Sequence, residues 1–525
     1  MNINKTVTGK RIQVKFMRAL NFCCMLLIFS CTKEKESERS YPRVVTGAVT
    51  NIHAGGATFN GSFLQSGNSE VIDHGFVFDT KNPPSIQKSE KISLGASNGS
   101  GSFTATPNFG LEKGKTYYVS AYARNKDKIF YAEPVDFYSQ GGLPPEILEV
   151  VPSQGVVGDT VTIKGKYFSS LTLSSILLED YQLKINSITQ NEIIVIITDY
   201  IPALVAPIVI VDDNRLIKSD TEFEVISPWK KLKTLPMPGR IYSTTYSDNG
   251  YGYVCFGFSD DISSRYLRDC WKYNRLTDTW QEVILDKSIR ARYGALSFQI
   301  KNQVFIGFGK DDNYLWDFYQ INQGHWMRIN NENYPISLGA FKNSFVVNDL
   351  AYVCGELDFL QFNPALNEWT NKTIPLPSIG GWNAISFSYN NHGYVGHNSY
   401  YYYETSARDI WEYDVQNDKW NLKSNSFPGS ATWGGIAFVI NDRVFIGLGR
   451  IGVKNEHSRS IWEYFPEFDL WKNVATIPAV GRSNAFIFLL ENKAYIGSGY
   501  IFDGRGIFVE KYLNDFYEFD PSKLE

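Results

Sequence analysis

The sequence predicts an all-β protein: two strand-rich segments, then a six-bladed propeller closed by a strand from the N-terminal end of that domain. Three observations carry the prediction. Beyond the first 31 residues there is no helical periodicity, whereas short alternating apolar runs bounded by Gly, Asn and Ser recur throughout. From residue 229 onward a phrase with two spaced tryptophans returns with a period of 43–51 residues, the mark of an array of small sheets. Finally, the last copy lacks its second tryptophan, while Trp229 has no strands of its own ahead of it.

The phrase is plainest in blade four, Arg408-Asp409-Ile410-Trp411-Glu412-Tyr413 followed by Trp420. Blade one has Arg268-Asp269-Cys270-Trp271 with Trp280, and blade five Ser460-Ile461-Trp462 with Trp471. Blade two reads Trp316-Asp317-Phe318 with Trp326, and blade three Asp358-Phe359-Leu360 with Trp369. The sixth copy, Asp515-Phe516-Tyr517-Glu518-Phe519, has no such tryptophan. Placing Trp229–Leu235 as its outer strand resolves both oddities and removes the open sheet edges of a linear array. The aspartates at equivalent positions, Asp269, Asp358, Asp409 and Asp515, are expected to serve the blades.

Each copy follows an apolar run that ends in glycine, often Gly-x-Gly as in Gly307/Gly309, Gly447/Gly449 and Gly497/Gly499. Together with the spaced Tyr and Trp, this resembles the Kelch-repeat propellers of the galactose oxidase-like superfamily, over residues 228–525. The resemblance implies fold and not activity, because Kelch propellers serve many unrelated functions.

Residues 1–31 read as a targeting segment: Lys5, Lys10, Arg11, Lys15 and Arg18 precede an apolar stretch, Phe22–Phe29, too short to span a bilayer. Ile28-Phe29-Ser30-Cys31 resembles a bacterial lipobox, which implies lipidation of Cys31; translation starts at Met1 or Met17. Residues 32–40 are charged and form a tether, and Glu34, Glu36 and Glu38 resemble the surface-export signal of Bacteroidetes lipoproteins. Residues 41–140 carry alternating strands, and Leu111–Ala123 resembles the F-strand region of fibronectin type III-like sandwiches, with Tyr118, Ser120 and Tyr122 on one face. After the Gly141–Pro145 hinge, residues 144–227 closely resemble an immunoglobulin-like IPT/TIG domain: Pro152, Gly155, Gly158, Gly165 and alternating Val161/Ile163 stand at that family's spacing. Both modules imply spacers.

Composition narrows the function. A net charge of −4 gives no electrostatic case for nucleic acid. All twelve tryptophans lie at or after Trp229. Cys255, Cys270 and Cys354 are expected as buried thiols. The propeller has only His325, His392, His397 and His457, with no Tyr-His dipeptide and no clustered His/Cys spacing, so neither a copper-radical site nor zinc is expected, nor any other cofactor. No catalytic residue is assigned.

Residues that break the repeat are the binding candidates. The innermost strands begin at Arg240, Arg292, Ala340, Gly381, Thr432 and Arg482, and the next position includes Tyr293, Phe341, Trp382 and Trp433. These should ring one mouth of the central channel, although packing between blades is the alternative for the tryptophans. The loop His397–Ala407, which contains Tyr401 and Tyr402, opens on the same face, as do Ser259–Leu267, Arg450–Arg459 and Tyr500–Leu513. The expectation is a lipid-anchored outer-membrane protein, facing the exterior, that captures a glycan or peptide beside a nutrient importer. The alternatives are a mutarotase or epimerase in which Arg240, Arg292 and Arg482 hold the carboxylate of an acidic sugar, or a structural, adhesive module.

Overall fold

The computed structural model describes residues 41–53, 55–107, 111–142, 145–168, 171, 173–212, 215–322, 324–329, 343–355, 358–374, 384–396, 408–425, 427–429, 432–451, 456–502 and 509–524. The targeting segment with Cys31 and the tether lie outside them. There is no α-helix among the described residues, and none long and apolar enough to cross a membrane. The chain divides into two compact units, one built around Ala57–Thr106 and Lys115–Tyr138, and one that runs from Ser139 to the end.

The first unit packs a four-stranded sheet against a five-stranded one. Phe59 is the hub of its core, meeting Phe76, Phe78 and Phe137 at ring-centroid distances of 5.1–5.8 Å. Strand Thr116–Arg124 is buried on both faces from Val119 to Ala123, and the face that carries Ser120 and Tyr122 is engaged internally: Ser120 donates to Ala132 O and Tyr122 to Asp73.

The second unit opens with a sandwich whose sheets are Glu146–Val151, Thr160–Lys166, Glu192–Ile196, Lys184–Ile188 and Gln154–Gly155, Arg215–Val225, Leu204–Asp212, Leu173–Leu178, Tyr181–Gln182, in those orders. Val161 and Ile163 are fully buried against Ile176, Ile208, Ile210 and Phe223, so the two-residue alternation points into one shared core.

Six four-stranded antiparallel sheets follow among the described residues, the first five with their strands in chain order. Tight turns begin them: Asn249-Gly250, Asn348-Asp349, Asn390-Asn391 and Asn441-Asp442 all take positive φ at both positions, the two-residue hairpin that Asn, Asp and Gly favour. The innermost strands are tied to their neighbours by side chains. Ser297 donates to Thr245 O, Ser344 to Ser297 O and Ser386 to Ser344 O, while Thr245 itself donates to Ile487 O of the sixth sheet.

The sixth sheet has its outer strand from the other end of the domain. Trp229–Lys231 pairs antiparallel with Phe516–Phe519, Trp229 opposite Phe519 and Lys231 opposite Tyr517, as the missing tryptophan requires. Trp229 is 2% exposed and its ring lies 4.8 Å from that of Phe519. Its counterparts also fill seams between blades: Trp280 meets Phe488 and Phe516 of the sixth sheet, and Trp420 meets Phe345 and Phe359 of the third.

One expectation is corrected here. Cys255 ends the second strand of blade one and Cys270 begins the third, directly opposite, and the two are joined as a disulfide. The position is a cross-strand pair, so the two sulfurs face one another once the sheet forms. Cys354 is buried, as expected, and lies outside any disulfide.

Candidate functional site

The turns that lead into the innermost strands are built by backbone geometry that the repeat dictates. In blades one, two and six the chain enters the innermost strand through an arginine, with a left-handed residue two positions later: Tyr242, Gly294 and Asn484. The middle residue of each Gly-x-Gly-type turn, Phe256, Phe308 or Ser498, is also left-handed, and its carbonyl accepts from that arginine at 3.0, 3.1 and 3.3 Å respectively. The same guanidinium holds the blade's aspartate in two parallel bonds: Arg240 to Asp269 at 2.7 and 2.7 Å, Arg292 to Asp317 at 2.8 and 2.6 Å, Arg482 to Asp515 at 2.5 and 2.7 Å. The arginine's own carbonyl accepts from the glycine of the preceding blade, Gly499, Gly257 or Gly449. Each arginine is thus a rivet: it fixes two loops of one blade and the seam to the next.

This corrects the expectation for Arg240, Arg292 and Arg482. All three are 0% exposed, so they do not line the mouth, and the carboxylate each one holds is the blade's own. Burial pushes the pKa of Asp317 up, but the bonds and charge of Arg292 and the Tyr319 hydroxyl outweigh it and hold the carboxyl below its ordinary range. The aspartates at 269 and 515 have the structural role read from their repetition.

Beside these turns lies an aromatic band. Tyr293 stacks on Tyr266 at 5.5 Å and 6°, with Phe258 5.5 Å and Tyr242 6.0 Å from Tyr293. All four rings are half-buried. Tyr242, Phe258 and Phe502 rest on a buried floor of Ile241, Tyr500 and Tyr512, which carries the band from blades one and two across to blade six. There the Arg450 guanidinium lies 4.6 Å from the Phe502 ring and 5.7 Å from that of Trp433, whose backbone pairs with Arg450. Polar groups rim the rings: Tyr266 donates to Asp312, Tyr512 to Asp260, and Arg265 pairs with Asp260.

Beside Arg450, His457 is locked in one tautomer. Its Nε2 accepts the Phe502 N–H at 3.3 Å, which leaves the proton on Nδ1 to donate to Ser483 Oγ at 3.0 Å. Burial, then the nearby charge of Arg450, lowers its pKa to about 4, so the ring is neutral at physiological pH. A neutral, doubly bonded imidazole next to stacked rings is a fixed wall rather than a proton carrier. The arrangement can stack planar or C–H faces and offer hydrogen bonds at its edges.

Of the residues singled out in the sequence, Tyr293 and Trp433 therefore belong to this surface. Trp382, Phe341, Tyr401 and Tyr402 lie outside the described residues. Sequence reasoning missed Tyr242, Phe258, Tyr266, Arg450 and Phe502 as individuals, although all but Tyr242 and Phe258 sit in loops it marked by their length. For those two the signal is strand pairing: Ile241 bridges to Phe258, and Phe258 to Tyr266, directly beside the mouth.

Comparison with known proteins adds three findings. Residues 145–225 match the IPT/TIG domain family. No curated protein matches the chain. Solved structures that match include one titled "Structure of YjhT", 17% identical with a TM-score of 0.45, covering 54% of this chain and 95% of that one. An all-β chain of small sheets with an IPT/TIG domain has the make-up of a binding or adhesive module.

Proposed function

We propose that this protein is a lipid-anchored component of the bacterial cell envelope, held at the outer membrane through Cys31, whose Kelch-type propeller captures a glycan. The single observation behind the ligand surface is the aromatic band from Tyr266 and Tyr293 through Tyr242 and Phe258 to Phe502, Arg450 and Trp433. Sugar rings present apolar C–H faces that stack on such planes, and their hydroxyls need the donors and acceptors that Arg450, Asp312 and Asp260 provide. The anchor rests on the basic and apolar segment that ends in Ile28–Cys31. A place beside an outer-membrane nutrient importer fits a tethered sugar-binding protein, and a peptide is the second ligand class that the band would accept.

The test uses the soluble fragment 41–525 on a glycan array, then calorimetric titration of the best hit. Wild type should bind, and Tyr293→Ala and Trp433→Ala should each weaken the complex. Retained affinity in both variants would remove the band from the binding surface. Recognition of peptides and no glycan on matched arrays would replace the ligand class.

A further inference from the structure

The second domain, read from sequence as a spacer, makes a specific attachment to blade five, and it does so at the root of the candidate site. The attachment residue is Arg459. In the repeat it is the counterpart of Arg268, which in blade one folds back on its own blade, donating to Ile289 O at 2.8 Å, Leu285 O at 3.0 Å and Asp286 O at 2.6 Å. Arg459 does the same, with Nε to Ala479 O at 2.8 Å and Nη2 to Ile477 O at 2.9 Å. It then spends its outward donors on the second domain: Nη1 reaches Asp199 Oδ2 at 2.8 Å and Nη2 reaches Asp199 O at 3.0 Å. The Tyr200 ring covers the guanidinium, with its centroid 3.7 Å from Cζ. An arginine held on one face by a ring and at its edge by a carboxylate and three carbonyls has a single orientation.

Nearby, Ala203 N–H donates to Trp229 O at 2.7 Å, and the side chains of Asp199 and Ile201 line a cleft with Lys472–Thr476 of the blade-five outer strand. Contact therefore runs from the outer strand of blade six, across the outer strand of blade five, to Arg459. Arg459 follows directly on Ser458, whose N–H closes the blade-five loop on Gly449 O. That loop carries Arg450 at one end and His457 at the other.

We propose that the Asp199–Tyr200 turn is a positioning element of the candidate site: it pins Arg459, and through it the neighbouring pair of Arg450 and His457, so that second domain and propeller move as one body. The assignment concerns how the site is held and stands apart from which ligand it takes.

The experiment compares the 41–525 fragment with D199A/Y200A. Both side chains are about half exposed, so the sandwich should keep its fold. A control, Glu149→Gln, removes a surface pair with Lys164 within the same domain. The readouts are calorimetric melting and the imidazole resonances of histidine-labelled protein, with His457 assigned through His457→Gln. The expected result is a joint transition of second domain and propeller in wild type and control, split in two in D199A/Y200A. The His457 resonance should shift in the double variant alone, and its midpoint should rise from about 4 toward the ordinary 6.5. An unmoved His457 in D199A/Y200A overturns the positioning assignment whatever the melting shows. Separate melting of the two domains in wild type overturns the single body.

Discussion

Replacing Arg292 with alanine should cost the propeller about 3–5 kcal/mol, the range for breaking a buried ion pair by deleting one partner. The figure follows from what the change strands. Asp317 would lose two charged bonds and retain the Tyr319 hydroxyl at 2.9 Å, while the Phe308 and Arg290 carbonyls would lose their donor. The assay is urea unfolding followed by tryptophan fluorescence, whose signal originates in the propeller because every tryptophan lies at or beyond residue 229. Arg292→Lys should recover only part of the loss, since a point charge cannot make the paired bonds. R292M/D317L should recover most of it, because a well-packed apolar pair removes the stranded carboxylate. Acid adds a second signature. The Asp317 carboxyl is held below its ordinary 3.8, so its contribution is present above that value and lost as pH falls through the lower, folded value. R292M/D317L should lack that acid limb. A loss under about 1 kcal/mol in R292A, the range of an exposed pair, would refute the rivet. Weakened ligand binding at unchanged stability would return Arg292 to the mouth.

Trp229→Ala should destabilise the propeller as much as Trp420→Ala, by about 3–5 kcal/mol for a buried tryptophan, and a fragment starting at residue 240 should melt well below one starting at residue 225; equal melting would detach Trp229 from the last blade. Trp433→Ala, at a half-buried ring, should lower the melting temperature little and cost about 1–3 kcal/mol of ligand affinity by analogy with base–aromatic stacking, and Trp382→Ala is expected to behave alike; collapsed stability with unchanged affinity would make both of them core residues. Cys31→Ala should leave the exported protein without covalent lipid, as read by intact mass and membrane partitioning, and a lipid-bearing variant would contradict the lipobox.

The fold was largely legible because it is repetitive. A period fixes strand order and pairing, and the unmatched Trp229 fixed which strand completes the last blade. The IPT/TIG domain was legible because its glycines and its Val161/Ile163 alternation serve local turns and one core. The site was harder to read, for a physical reason. Arg240, Arg292 and Arg482 stand just ahead of the inner strands that begin at Thr244, Leu296 and Phe486, but residue spacing does not say which way a side chain turns. The left-handed residues beside them fold the guanidinium under the turn, against an aspartate 25–33 positions onward. Repetition was itself the clue, since the argument that assigned the aspartates to the blades applies equally to three arginines at one repeat position. The Cys255–Cys270 disulfide escapes a reading along the chain because it depends on which residues stand opposite one another across the hairpin. The Asp199–Arg459 contact joins two domains that no shared period relates, so nothing in the sequence marks it.

The pairing of Trp229 with Phe519 also sets an order of events. Trp229 waits for a partner made some 290 residues later, and until Phe516–Phe519 exists the sixth sheet holds only the pair Phe486–Leu490 and Lys493–Gly497. Contacts of such long range form slowly, and partial chains meanwhile expose open edges. Under the export proposed above, that delay would be useful: the two leading domains could fold on the far side while the propeller remained an unfinished, threadable polypeptide. Only when Phe519 arrives does the domain acquire a partner for its first strand.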